Sequence, residues 1–414
     1  MSDIIVREGE TAKLGRVDGD LKVGKNARIT AESGRKVSVT GTAHFDGRVT
    51  IDCDFECQAM RLEGRGWGPG GDVTVKGDLM VHGVADIDAS VRVAGGILAG
   101  DLDVGGHLRS GPLKSTRLRV GGHLETKGGL ESGDVDVGGH MTVRDQVAIS
   151  NLRVGGHLKI GGGTISGEIK VRGHLTTVKS LTFGNVQVYG HTLLPAGSSG
   201  GRISALGKVV FEGDATCKEL DVTGGAIVYG DCNSEDIEAK GNLEVRGEMH
   251  VSRRFRVFGA ADCRGAVECD TLGVSGRLVA ERVSAEAKAD IVGEVNTSLG
   301  LKSASVAVGK GSKVTGSLIG DRVEIGNEMD FGSAWGLPWW RSAVGKTTVV
   351  EDVYGKDVRI GSNSRARRVF GDVVELANGG MAEEVNYTKE LKLPKEYHLT
   401  KPPAKMAKLP DPPF

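Results

Sequence analysis

Six histidines recur at nearly fixed steps through the middle of the chain. They are His107, His123, His140, His157, His174 and His191, separated by 16, 17, 17, 17 and 17 residues. Each sits in a near-identical phrase: DVGGHL at 103–108, RVGGHL at 119–124, DVGGHM at 136–141, RVGGHL at 153–158, KVRGHL at 170–175 and QVYGHT at 187–192. Imidazoles stacked in a column could capture a metal ion between neighbours, since the group suits zinc, copper and nickel. No carboxylate or thiolate joins them to complete a ligand set. The simpler reading is a solvated ladder at a corner, with metal capture as the alternative chemistry. Protonated neighbours would repel one another, so protonation should be disfavoured and acid should weaken the fold.

Two other groups of residues could do chemistry. Trp335, Trp339 and Trp340 cluster with Leu337 and Arg341 within 327–346, a stretch holding three of the four tryptophans. Either this loop folds over the side or end of its scaffold, or it forms a sticky patch for a partner protein or a membrane interface. Arg341 and Lys346 would suit anionic lipid. The six cysteines, Cys53, Cys57, Cys217, Cys232, Cys263 and Cys269, include no C-x-x-C pair and lack zinc-ligand spacing. They alternate with apolar residues, as small buried free thiols do. No glycine loop stands in the strand–helix context that phosphate binding needs. The expectation is no catalytic residue, no cofactor and no nucleotide.

The period that spaces the histidines also describes the elements that carry them. In one repeat, inward candidates fall in pairs two apart: Leu124 and Thr126, Leu130 and Ser132, Val135 and Val137. Seventeen residues on they return as Met141 and Val143, Val147 and Ile149, Leu152 and Val154. Pairs two apart mean strand alternation. Three pairs at steps of 6, 5 and 6 mean three short strands separated by tight corners. A repeat of this size is one turn of a solenoid, each strand pairing in parallel with its equivalents above and below. The expected fold is all-β, a single-stranded parallel β-helix of triangular cross-section with about 17 residues per turn. At 158–171 the expected inward positions are Thr164 and Ser166, yet the apolar residue is Ile165, so a bulge or slip is expected after Gly161, Gly162 and Gly163. An outward column reads Asp103, Arg119, Asp136, Arg153, Lys170, Gln187; its mostly alternating sign would help hold register.

Composition agrees. Glycine supplies 65 of 414 residues, roughly twice its usual share of about 7%. Aromatics are 4%, too few for a core built on Phe and Trp. A net charge of −1 makes no electrostatic case for nucleic acid. The N-terminal MSDIIVREGETAK has neither an apolar run nor a cleavage signal, and no apolar stretch is long enough to span a bilayer, so a cytoplasmic protein is expected.

Taken in order, residues 1–16 read as a lead-in whose Ile4 to Val6 form a first edge strand. The main β-helix occupies 17–300, with corner insertions at 31–36 and 64–71 and the His-bearing block at 101–192. LLPAGSSGGR at 193–202 reads as an extruded loop that lengthens the turn from His191 to Asp214 to 23 residues, and the 12-residue step from Glu248 to Ala260 as a shortened turn. VAERVSAEAKAD at 279–290 has helical composition, but Val283 and Ala285, then Ala289 and Ile291, keep the strand pairs, so strand is expected. Further turns occupy 301–385, where Val353, Val369 and Val385 lie 16 apart. The tryptophan loop interrupts them. The segment 386–414 holds six of the ten prolines, with lysines throughout, and reads as a flexible tail. Roughly 20 turns at about 4.8 Å each would make a rod roughly 100 Å long.

The stacked turns VDGDL at 17–21, VKGDL at 75–79, VSGRL at 274–278 and VTGSL at 314–318, with the proline-rich tail, resemble the bactofilins, polymer-forming cytoskeletal proteins. The resemblance covers about 17–385 and implies a right-handed β-helix that joins end to end into filaments without nucleotide, often at the inner face of the membrane. Its implied partner is another copy of itself; the residues of the tryptophan loop and the tail, read by themselves, add a membrane surface or a second protein as the alternative partner. Uncapped strand edges at a solenoid's ends point to the same assembly. The alternatives are a β-helical enzyme, of the hexapeptide acyltransferase or carbohydrate-active kind, and a monomeric binding rod. The 17-residue turn argues against the first of these, whose hexapeptides need 18.

Overall fold

The computed structural model describes residues 3–62, 71–327, 347–395 and 397–414. These form a parallel β-solenoid of about 22 turns with ~17 residues per turn and no helix. The chain divides into two compact units, one of Met1–Gly201 with Leu206–Lys208, the other of Arg202–Ala205 with Val209–Phe414.

In the first unit a turn consists of a short strand and a longer bent one, such as Leu124–Thr126 and Leu130–Val137. The long strand is inward, outward, inward, then two residues outward at Gly133 and Asp134, then inward, outward, inward again. Those two outward residues make the third corner, and parallel pairing continues on both sides of it, Ser115 to Ser132 and Arg117 to Asp134. The three expected walls are therefore present, two of them on one bent strand. In the second unit the bend extends further, and strands Arg277–Ile291 and Glu294–Gly309 each cover a whole turn.

The expected inward pairs are buried. Val104, Val120, Val137, Val154, Val171 and Val188 stack in one column and are at most 2% exposed. Burying each valine contributes about 1.5–3 kcal/mol. The register is the predicted one, Leu124 against Met141, Leu130 against Val147 and Val135 against Leu152. Residues 279–290 lie inside strand Arg277–Ile291, so packing periodicity overrides helical composition. Val353, Val369 and Val385 stack as expected.

The slip near Ile165 is present. Gly163 pairs with Val147 and Ile165 with Ile149, while Ile169 pairs with Leu152, so one residue is lost at the first corner and regained at the next. Gly162 and Gly163 take φ of 119° and 122°, a region that only glycine enters freely.

Four expectations need correction. Residues 4–17 are a full first turn, with strands Ile4–Val6, Thr11–Leu14 and Arg16–Val17 pairing with the turn above. No turn is lengthened after His191: Lys208 follows it at the next level, its N–H donating to Gly190 O at 2.9 Å. Asp214 belongs to a different corner. Ser198, inside the expected loop, is buried and its Oγ accepts the N–H of Leu181 at 3.2 Å. Likewise no turn is short near Glu248, because Asn242 pairs with Ala260 and Met249 with Val267, each 18 residues apart. Finally, sheet continues into the segment read as a tail: strand Gly380–Lys392 is followed by His398–Leu399 and Ala404–Lys405, which pair with it. Prolines restrict these last two strands to two residues each.

Candidate functional site

The G-G-H phrase forms the corner between a long strand and the following short one. A Cβ added at Gly122 would lie 2.5 Å from His107 Nδ1 and 2.7 Å from Gly106 O, so glycine is required for one corner to settle on the last. This close approach brings each imidazole over the backbone of the next turn. The N–H of His123 donates to His107 Nδ1 at 2.9 Å, that of His140 to His123 Nδ1 at 3.0 Å, and that of His174 to His157 Nδ1 at 3.3 Å. His157 and His174 also approach through their Nδ1 atoms at 2.9 Å, where one nitrogen must donate to the other. Ring centroids from His107 to His174 are 4.7, 4.8, 4.7 and 4.6 Å apart, and His191 lies 6.1 Å from His174.

The ladder is one instance of a wider device. Below it, the N–H of His107 donates to Ser90 Oγ at 3.1 Å. At the other corners, Asp20 Oδ1 accepts from Thr42, Asp54 Oδ1 from Asp78, Asp78 Oδ1 from Gly96, Asp214 Oδ1 from Asp231 and Asp231 Oδ1 from Glu248, at 2.7–2.9 Å. In each case the residue before an inward position accepts an amide from the next turn. This explains the aspartate of V-x-G-D-L, which the sequence reading had not interpreted. The signal was the recurrence of Asp, Ser and His at one corner offset, all short side chains that can accept from backbone.

This geometry bears directly on metal chemistry. A nitrogen that accepts an N–H carries no proton, so in His107 and His123 the neutral ring holds its proton on Nε2. Ligation through Nε2 instead wants the proton on Nδ1, donated outward. Among the described residues no group of three or more His, Cys, Asp or Glu is arranged to hold a metal ion. His140 is held below the usual imidazole range by desolvation, then by His123 and His157. His191 is lowered by desolvation, His174 and Lys208.

All six cysteines are free and buried. Burial pushes the thiols of Cys57, Cys263 and Cys269 up to about 12 and that of Cys217 to about 11, far from the thiolate a nucleophile needs. The alternating column pairs as read: Arg119 Nη1 lies 3.4 Å from Asp103 Oδ2, and Asp136 stands between Arg119 and Arg153. Arg153 and Lys170 are like-charged neighbours in register.

A groove of about 930 Å³ runs along the second unit, lined by His250, Glu268, Asp270, Glu286, Lys302 and Asp321. Its His250 Nδ1 is bonded to Glu268 Oε2 at 3.1 Å. Trp335, Leu337, Trp339, Trp340 and Arg341 lie outside the described residues. Among the described residues no helix is long and apolar enough to cross a membrane.

No family model matches the chain, and no curated protein and no solved structure matches it.

Proposed function

We propose that this chain is a structural protein of the bactofilin kind, assembling end to end into filaments without nucleotide. One observation carries the reading. Strands Ile4–Val6, Thr11–Leu14 and Arg16–Val17 are paired only on the side of the following turn among the described residues. Ile4, Ala12 and Leu14 stand under Leu21, Ile29 and Ala31 and are half-buried, while Val6 and Val17 of the same turn are buried. A row of unpaired N–H and C=O groups beside uncovered apolar side chains is a template for another chain. The histidine corner fits this reading as scaffold, since its imidazoles hold turn to turn. Cytoplasmic placement, with peripheral membrane contact through the tryptophan loop, belongs to the same proposal.

The test is negative-stain electron microscopy of the purified chain over a concentration series without nucleotide. Long thin filaments that lengthen with concentration are expected. Single particles at every concentration would refute the proposal.

A further inference from the structure

The last turn of the second unit carries its own cover. Its strand Gly380–Lys392 pairs on one side with the preceding turn, from Ser364 against Gly380 to Glu375 against Lys392. Among the described residues it meets on the other side only His398–Leu399, at Met381 and Ala382, and Ala404–Lys405, at Asn386 and Tyr387. The backbone bonds from this cover include Thr400 N–H to Ala382 O at 3.2 Å, Lys401 N–H to Glu383 O at 2.9 Å and Met406 N–H to Tyr387 O at 2.7 Å. An exposed ion pair, Lys401 Nζ to Glu384 Oε2 at 2.8 Å, adds little in water. Pro394, Pro402, Pro403, Pro410, Pro412 and Pro413 have no N–H to donate, so the segment cannot complete the ladder. From 400 to 413 every residue is exposed except Leu409. The chain then ends on Phe414, whose Cε1 would lie 2.6 Å from a Cβ placed at Gly300.

This is a weak cover over a strong edge. Ala382 and Val385 beneath it are 3% and 0% exposed, and the strand is 13 residues long. The first turn of the chain presents an edge of matching sense, because the ladders are parallel and a further turn above Gly380–Lys392 would continue the same winding. We propose that the Gly380–Lys392 edge is a docking surface for the first-turn edge of a second copy of this chain, and that residues 398–406 occupy it as a displaceable cover. Assembly is then head to tail, and release of the cover sets the concentration at which it begins. This rests on the self-assembly reading and adds to it the surface, the partner edge and the control.

The experiment compares the full chain with the full-length double variant T400P/M406P, which removes two of the covering N–H donors, and with a chain stopped after Leu393. Circular dichroism checks that each is folded, and sedimentation velocity over a concentration series reads assembly. Both variants should assemble at a roughly tenfold lower concentration than the parent. A synthetic peptide of residues 394–414 should raise the threshold of the shortened chain again, and Leu14→Lys in the shortened chain should return it to single particles. An unchanged or higher threshold in both variants overturns the inference while leaving self-assembly standing if the parent still polymerises. Growth that survives Leu14→Lys overturns the choice of partner edge. If neither parent nor variants assemble at any concentration, the inference and the reading beneath it both fall.

Discussion

Replacing Gly122 with alanine is the sharpest probe of the histidine corner. The new Cβ would sit 2.5 Å from His107 Nδ1 and 2.7 Å from Gly106 O. The imidazole can swing away, but the carbonyl belongs to a paired backbone and cannot. Overpacking of this kind costs about 1–3 kcal/mol. Swinging the ring also breaks the bond from the His123 N–H, whose net worth is about 1 kcal/mol. The combined loss of about 2–4 kcal/mol should lower a thermal midpoint by on the order of 10 °C in a unit of this size. Gly225→Ala is the matched control, since its Cβ would find nothing nearer than Asn242 O at 4.0 Å. That change should stay within about 0.5 kcal/mol of the parent. Thermal melts followed by circular dichroism at pH 7.5 give the midpoints. Hydrogen exchange read on peptides covering 104–125 should show lost protection in Gly122→Ala alone. Equal midpoints for the two variants, or unchanged exchange at 104–125, would refute the close-stacked corner.

Two further outcomes follow from charge. His140 and His191 are lowered below the usual value of 6.5, so the unfolded chain binds more protons in mildly acidic solution. Stability should therefore fall as pH drops below about 6.5, with a lower melting midpoint at pH 5.5 than at pH 7.5 and a smaller gap in H140Q/H191Q; coincident parent melts would sink this reading. Burial alone would raise the Asp352 carboxyl, but hydrogen bonds from Arg368 and Arg367 outweigh it and hold the group below its ordinary range. Asp352→Asn should cost about 1.5–3 kcal/mol near neutral pH by removing charged hydrogen bonds. The Asp352 contribution is present above the unfolded carboxylate value and is lost as pH falls through the folded one, so the variant and the parent should converge in strong acid. A constant difference across denaturation curves from pH 7 down to pH 2 would contradict it.

The sequence alone determined the solenoid. Alternation of inward and outward residues is a property of each strand by itself, so the pairs at 124–137 announced three walls, and the 17-residue repeat announced their stacking. The same alternation placed all six cysteines inside and kept 279–290 a strand, because the burial of Val283, Ala285, Ala289 and Ile291 outweighs a weak helical preference. What only the tertiary structure decided is which corner stands over which. His191 leads to Lys208 rather than Asp214, and Asn242 to Ala260, because register is chosen by ladders between residues far apart in the chain, and a spacing read along one column cannot tell two corners apart. The handing of an amide to Asp, Ser or His of the previous turn likewise exists only once turns are stacked. So does the cover over Gly380–Lys392: its prolines forbid long strands, but they leave Thr400, Lys401 and Met406 free to donate to an edge that the folded coil alone creates.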